Sequence, residues 1–259
     1  MRTPLLLTII VLAATAWVLT KPHGPSLPRM IAAHAMTTPP ISQPAPAPAN
    51  WQTLSGEQRL ADLHARRDAD VKAALTAQGL ALGDPVFIRI IKESRELELW
   101  LKPASAKTYK RFQTYPIACF SGTLGPKTKE GDLQAPEGFY ATTRKLMNPA
   151  SKYHLAFNIG YPNAHDQALG RTGSFIMVHG KNVSIGCFAM TDPIIEDIYL
   201  IVDAALNAGQ LQVPVHCYPF RMTLERLAMA KDSEWLAFWQ SLKLAWDAFE
   251  QTKVPPVIQ

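Results

Sequence analysis

Phe175-Ile176-Met177-Val178-His179-Gly180 runs on into Ser184-Ile185-Gly186-Cys187 and then Thr191-Asp192-Pro193. The first block is apolar on both faces and predicts a central strand that delivers His179 at its end. The last block predicts a helix start, with Asp192 as N-cap and Pro193 at the first helical position. Between them lie one imidazole and one thiol, each with a glycine beside it. A thiolate is the attacking species in cysteine chemistry, and a histidine can supply it near neutral pH. Glycine lets the backbone turn sharply and approach a substrate, so its N–H groups can face a developing oxyanion. Taken alone, the pair fits a small buried thiol and a structural histidine equally well.

Reading outward, Ile194, Ile195, Ile198, Val202 and Ala205 line one side of the helix, and Gly209 ends it. Residues 213–217 predict a last strand. Thr223 to Gln251 predicts one or two amphipathic helices, whose aromatic residues Trp235, Phe238, Trp239, Trp246 and Phe249 read as core packing. Upstream, residues 86–91 and 97–101 predict a hairpin around Glu93-Ser94-Arg95. There Leu97, Leu99 and Leu101 alternate with Glu98 and Trp100, which predicts one buried face. Tyr115 to Phe120, Gly138 to Thr143 and His154 to Ile159 are further strand candidates. Gly122 to Gly138 is polar and punctuated, and predicts a long loop. The fold class is α+β, a β-rich domain with a helix after Cys187 and helices at both flanks.

The 259 residues carry a net charge of +5 and 47% apolar residues, which describes a globular body of modestly basic charge. No Lys/Arg cluster resembles a nucleic-acid arm, and no phosphate-binding loop is present. Residues 1–20 have Arg2 ahead of an apolar run from Leu5 to Leu19, the layout of a signal peptide or signal anchor. That predicts a periplasmic or otherwise extracytoplasmic protein, secreted or tethered. Residues 21–50 predict a Pro/Ala-rich linker. Residues 51–82 predict an N-terminal helical segment, residues 83–220 the catalytic domain and residues 221–259 a C-terminal helical extension. Cys119, Cys187 and Cys217 allow either a Cys119–Cys217 bridge with Cys187 reduced, or three free thiols. His154, His165 and His216 fit no usual zinc spacing, and no metal or cofactor is expected.

The pattern His179-Gly180 followed by Ser184-x-Gly186-Cys187 resembles the YkuD-type L,D-transpeptidase catalytic domain, and most closely its YafK-like branch of murein L,D-transpeptidases. Further blocks carry the resemblance from about Val86 to about Phe220. They include Gly125-Pro126-Lys127, Gln134-Ala135-Pro136-Glu137-Gly138-Phe139-Tyr140, Tyr153-His154-Leu155-Ala156-Phe157-Asn158, Gly160-Tyr161-Pro162-Asn163-Ala164 and Gly170-Arg171-Thr172-Gly173-Ser174. The resemblance implies a β-rich fold of mixed sheets or a sandwich. It also implies a cysteine enzyme acting on peptidoglycan stem peptides in cell wall biogenesis, remodelling or cell shape.

On that resemblance, Cys187 is the nucleophile and His179 the general base and acid. The Gly180 carbonyl orients the histidine, the Gly186 and Cys187 N–H groups form the oxyanion site, and Ser184 supports the turn or contacts the histidine. Arg171 is the first choice for a substrate carboxylate, with Arg144 and Lys145 as other basic candidates and Tyr140, Asn158 and Tyr161 as wall contacts. Two positions differ from many members, which carry His or Arg where this chain has Ile185, and Arg where it has Ala189. The acyl-enzyme could pass to an amine, giving a cross-link, or to water, cleaving a cross-link or releasing a wall-attached protein. A non-catalytic wall-binding module is the reading of another class.

Overall fold

The computed structural model describes residues 45–258. The signal at 1–20 and most of the linker at 21–50 lie outside the described residues. The three segments expected at 51–82, 83–220 and 221–259 belong to one compact unit.

After a short 3-10 turn at Trp51–Thr53, α1 (Gly56–Thr76) starts at a capping box. There the Ser55 hydroxyl accepts from the Gln58 N–H, and the Gln58 side chain accepts from the Ser55 N–H. The first sheet contains β1 (Val86–Ile91), β2 (Glu96–Leu101), β3 (Lys110–Pro116), β4 (Gly138–Thr142) and β9 (Val213–Tyr218), in the order β3-β2-β1-β9-β4. The second contains β5 (Met147–Asn148), β6 (Ala156–Asn158), β7 (Met177–His179) and β8 (Phe188–Ala189), in that order. The short α2 (Ala164–Ala168) follows β6, and α3 (Asp192–Asn207) follows β8. Helix α3 packs on α1 and touches β1, β6, β7 and β9, so it is the common core element of both sheets. Two helices close the chain, α4 (Leu224–Met229) and α5 (Leu236–Thr252).

The expected hairpin is present, with Arg95 in the left-handed region at its turn. Its burial differs from the alternation read in the sequence. Both faces of β2 are covered, because Phe249 of α5 packs edge-on against Trp100 on the far side. Glu98 is fully buried and accepts from the Arg89 Nε–H at 2.8 Å and the Trp100 Nε1–H at 3.1 Å. The third strand sits at 110–116 rather than 115–120. Pro116 has no N–H to extend the ladder, and the chain beyond it crosses to the other sheet, where Cys119 bridges Ala189. The β7 strand starts only at Met177, because Phe175 adopts φ 56° and is 72% exposed. The α3 cap is Thr191 rather than Asp192, whose Oδ1 accepts the Lys181 N–H at 2.7 Å.

The loop 122–138 is tied down by a fully buried ion pair. Lys92 Nζ donates to Glu137 Oε1 at 2.9 Å and to the Gly125 and Ala135 carbonyls at 2.8 and 3.0 Å. The Gly125 N–H and the Trp239 indole N–H, both at 2.7 Å, complete the Glu137 carboxylate. Removing one partner strands a buried charge. Lys92→Met is therefore expected to lower unfolding stability by about 3–5 kcal/mol in urea titrations. Lys72→Ala, which breaks the exposed Lys72–Asp68 pair, is expected to cost no more than about 1 kcal/mol.

Candidate active site

The candidate base and nucleophile are brought together by strand pairing. In the parallel ladder of β7 and β8, Val178 pairs with Phe188 and His179 with Ala189. Cys187, immediately before β8, therefore lies on the same side of the sheet end as His179. Both line a cleft of about 770 Å³. Its walls also include Lys127, Glu130 and Leu133 from the long loop, Tyr153 from the segment before β6, and Val183 and Ile185 from the 180–187 loop.

His179 is buried, and its Nδ1 lies 2.6 Å from the Gly180 carbonyl oxygen. A carbonyl can only accept, so Nδ1 carries the hydrogen and the neutral ring keeps its lone pair at Nε2. Burial lowers the imidazole pKa, and the Gly180 bond opposes that shift only in part. The Tyr153 ring packs on the imidazole at 4.8 Å between centroids.

Gly180 is closely surrounded. A Cβ there would come within 2.6 Å of Asp192 Oδ1, 2.8 Å of the Tyr153 carbonyl and 2.9 Å of His154 Cβ. The His154 neighbour is itself fixed, stacked on Trp51 at 4.3 Å and bonded through Nε2 to Glu196 Oε1 at 2.8 Å.

The Cys187 thiol is half-buried. Its Sγ accepts from the Met177 N–H at 3.4 Å and donates to the Phe175 carbonyl at 3.6 Å. Among the described residues these, and not the imidazole, are its hydrogen-bond partners. Burial raises the thiol pKa, opposed by the Met177 N–H and the positive charge of Lys127. Burial thus favours the neutral form of both groups.

The loop between them corrects one expectation. At φ 126° the Gly186 N–H turns inward and donates to Ser184 Oγ at 3.1 Å, while the Ser184 hydroxyl donates to the Cys187 carbonyl at 2.7 Å. Gly186 N–H is therefore occupied, whereas the Cys187 N–H has no acceptor among the described residues. Arg171 and the three candidate wall residues are also placed elsewhere. Arg171 pairs with Asp166 at 2.8 Å and lies over the Phe238 ring. The buried Tyr140 hydroxyl donates to Asp166, and the buried Tyr161 hydroxyl bonds the Lys127 and Thr172 carbonyls. The Asn158 side chain accepts from the Gly160 N–H at 2.8 Å. None of the four lines the cleft. Arg144 is engaged with Asp203 and Asn207. The cations that do line the cleft are Lys127 and Lys152. Lys127 stands in the Gly125-Pro126-Lys127 block, but nothing in its spacing tells that the loop lines the same cleft as the thiol.

All three cysteines are free. Among the described residues no cluster of His, Cys, Asp or Glu is built to hold a metal ion. Nor is any helix among them long and apolar enough to cross a membrane.

A family model described as the L,D-transpeptidase catalytic domain, YkuD, matches residues 85–216. The chain belongs to the YkuD family. The Escherichia coli (strain K12) protein named "Putative L,D-transpeptidase YafK" is 46% identical over 177 residues, which are 68% of this chain and 71% of that protein. The crystal structure of the helical cell shape determining protein Pgp2 from Campylobacter jejuni aligns at TM-score 0.42 and 20% identity. That alignment covers 71% of this chain and 78% of the other. Bd1075 from Bdellovibrio bacteriovorus aligns at TM-score 0.36 and 21% identity, over 53% of this chain and 48% of its own.

Two outcomes follow for this YkuD domain. Gly180→Ala must push backbone or buried side chains apart, and is expected to cost about 1–3 kcal/mol of stability in thermal unfolding. In a Cys119→Ser background, iodoacetamide should alkylate Cys187 with a pH midpoint above that of a small free thiol. A midpoint well below the free-thiol value would show a preformed thiolate instead.

Proposed function

We propose that the chain is a cysteine-dependent acyltransferase that acts on peptidoglycan stem peptides as an L,D-transpeptidase. The observation that carries this reading is the locked His179. The Gly180 carbonyl holds its Nδ1–H, so the basic Nε2 is left for a cleft that also holds the Cys187 thiol. Family membership supports the substrate class.

In the proposed reaction, the Cys187 sulfur attacks the scissile carbonyl carbon as His179 Nε2 takes the thiol proton. The Cys187 N–H is the donor nearest to where the oxyanion develops. Collapse of the tetrahedral intermediate breaks the C–N bond. The imidazolium gives its proton to the departing amine, leaving a thioester. An acceptor amine then loses a proton to His179 and attacks the thioester. The sulfur leaves with the bonding pair and regains the proton.

Hydrolysis of the same thioester is the second reading. The observation that favours it is the rim of the 180–187 loop. Val183 and Ile185 line the cleft and are exposed there, Ile185 at 76%, whereas the loop's one cation, Lys181, is not among the cleft-lining residues, so the rim offers no charge to hold a carboxylate-bearing acceptor. Water needs no such anchor.

We place the reaction in the periplasm, in cell wall biogenesis and cell shape. The apolar run behind Arg2 supports that location, and cell fractionation tests it. Incubation with defined muropeptides, read by mass spectrometry, tests the chemistry. New cross-links or amine exchange are expected from transpeptidation, and smaller peptides without exchange from hydrolysis. Identical products from wild type and Cys187→Ala would overturn both. A carbapenem should acylate wild type at Cys187 and leave Cys187→Ala unlabelled.

A further inference from the structure

We propose that Lys127 is a positioning residue for the nucleophile. Its ammonium, clamped to the cleft wall by Asp132, stabilises the Cys187 thiolate through its field. The inference rests on the reading of Cys187 as the nucleophile.

Lys127 is only 4% exposed, yet it lines the same cleft as Cys187. Its Nζ donates to Asp132 Oδ1 at 2.5 Å and to the Lys129 carbonyl at 2.8 Å. An ammonium has three N–H donors, and the third has no acceptor among the described residues. The clamp is itself rigid. Asp132 Oδ2 accepts the Thr128 and Lys129 N–H groups at 2.9 and 3.0 Å, and Oδ1 accepts the Gln134 N–H at 3.0 Å. Burial would raise the pKa of Asp132, but Lys127 and these N–H groups outweigh it and bring it to about 2. The carboxylate stays charged throughout the working range, so the clamp does not open with pH.

The lysine stem is confined as well. The Tyr161 hydroxyl bonds the Lys127 carbonyl at 3.3 Å. A Cβ on Gly173 would sit 2.9 Å from Lys127 Cε, so the Gly173 backbone lies close against the end of the stem. The ammonium cannot swing out to water as surface lysines do.

Other charged or titratable groups also face the cleft. Glu130 comes from the same loop, Lys152 and Tyr153 from the segment before β6, and His179 from β7. Among all of these, Lys127 is the side chain whose charge favours the thiolate. Asp132 itself does not line the cleft, so the cationic end of the pair is the one the cleft presents. Lys127 neither gives nor takes a proton. The thiol proton goes to His179 Nε2 and the sulfur keeps the electron pair, whose charge Lys127 offsets.

The test is the pH profile of iodoacetamide alkylation at Cys187 in the Cys119→Ser background, with muropeptide turnover measured in parallel. Lys127→Met and Lys127→Gln should each raise the alkylation midpoint by about half a pH unit or more. Gln retains amide donors for Asp132 and the Lys129 carbonyl, and serves where Met fails to fold. Lys127→Arg, which keeps the charge, should restore the midpoint toward wild type. An unchanged midpoint in a folded Lys127→Gln protein would overturn the inference. Turnover lost in Cys187→Ala would then leave the proposed function standing. A raised midpoint with no muropeptide product from wild type would retain Lys127 and overturn the function.

Discussion

The site depends on a two-residue parallel ladder. Strands β7 and β8 run in the same direction, and only residues 180–187 join them. Parallel neighbours ordinarily need a crossover of a dozen or more residues. So short a connection must reverse twice, and it does so through left-handed backbone at Lys181 and Gly186. The Met190 N–H then bonds the His179 carbonyl at 2.8 Å, and the Thr191 N–H bonds the Lys181 carbonyl at 2.9 Å. Thr191 pays for this with φ 73°, an uncommon conformation for a β-branched residue. A slip of one residue would turn His179 to the opposite face. The bridge of Cys119 to Ala189 ties β8 to the segment after β3, which helps to fix that register.

Around this ladder the fold uses buried charge where a simpler core would use apolar side chains. Arg66 pairs with Glu196, Arg67 with Asp197, and Lys92 with Glu137. Such pairs gain little net stability against well-packed hydrophobic residues. Each does, however, permit only one arrangement of its donors and acceptors. Glu196 ties α1 to His154, and His154 packs against Gly180. Glu137 ties the long loop to Trp239 of α5. Helices that carry no candidate chemistry thereby hold the two walls between which it sits.

Much of this was legible in local pattern. The hairpin at 86–101, the α3 helix behind Pro193 and the placing of His179 at a strand end all follow from short-range rules. What was not legible depends on partners distant in sequence. The alternation in β2 suggested one exposed face, but α5 returns from the end of the chain to cover Glu98 and Trp100. Arg171, in a glycine-flanked loop, looked free to bind an anion, and Asp166 of α2 takes it. Gly186 suited an oxyanion donor by type, and the Ser184 hydroxyl occupies its N–H. The converse case is Lys127, an ordinary loop lysine by sequence that the fold of residues 122–138 brings to the cleft.

The electrostatics of the pair bear on how reactive the thiol is at rest. Burial moves both groups toward their neutral forms, raising the thiol and lowering the imidazole. A sulfur that keeps its proton and donates to the Phe175 carbonyl is a poorer target for small oxidants than a thiolate. The Met177 N–H and the clamped Lys127 oppose the burial penalty without overcoming it. On the proposed acyl-transfer reading, proton transfer to His179 accompanies attack of the sulfur on a carbonyl rather than preceding it. Closing the cleft with substrate removes water and strengthens each fixed charge and dipole that it leaves behind. On the proposed reading, the burial that disfavours the resting thiolate would make Lys127 and the Cys187 N–H more effective, because both are already oriented before the charge develops.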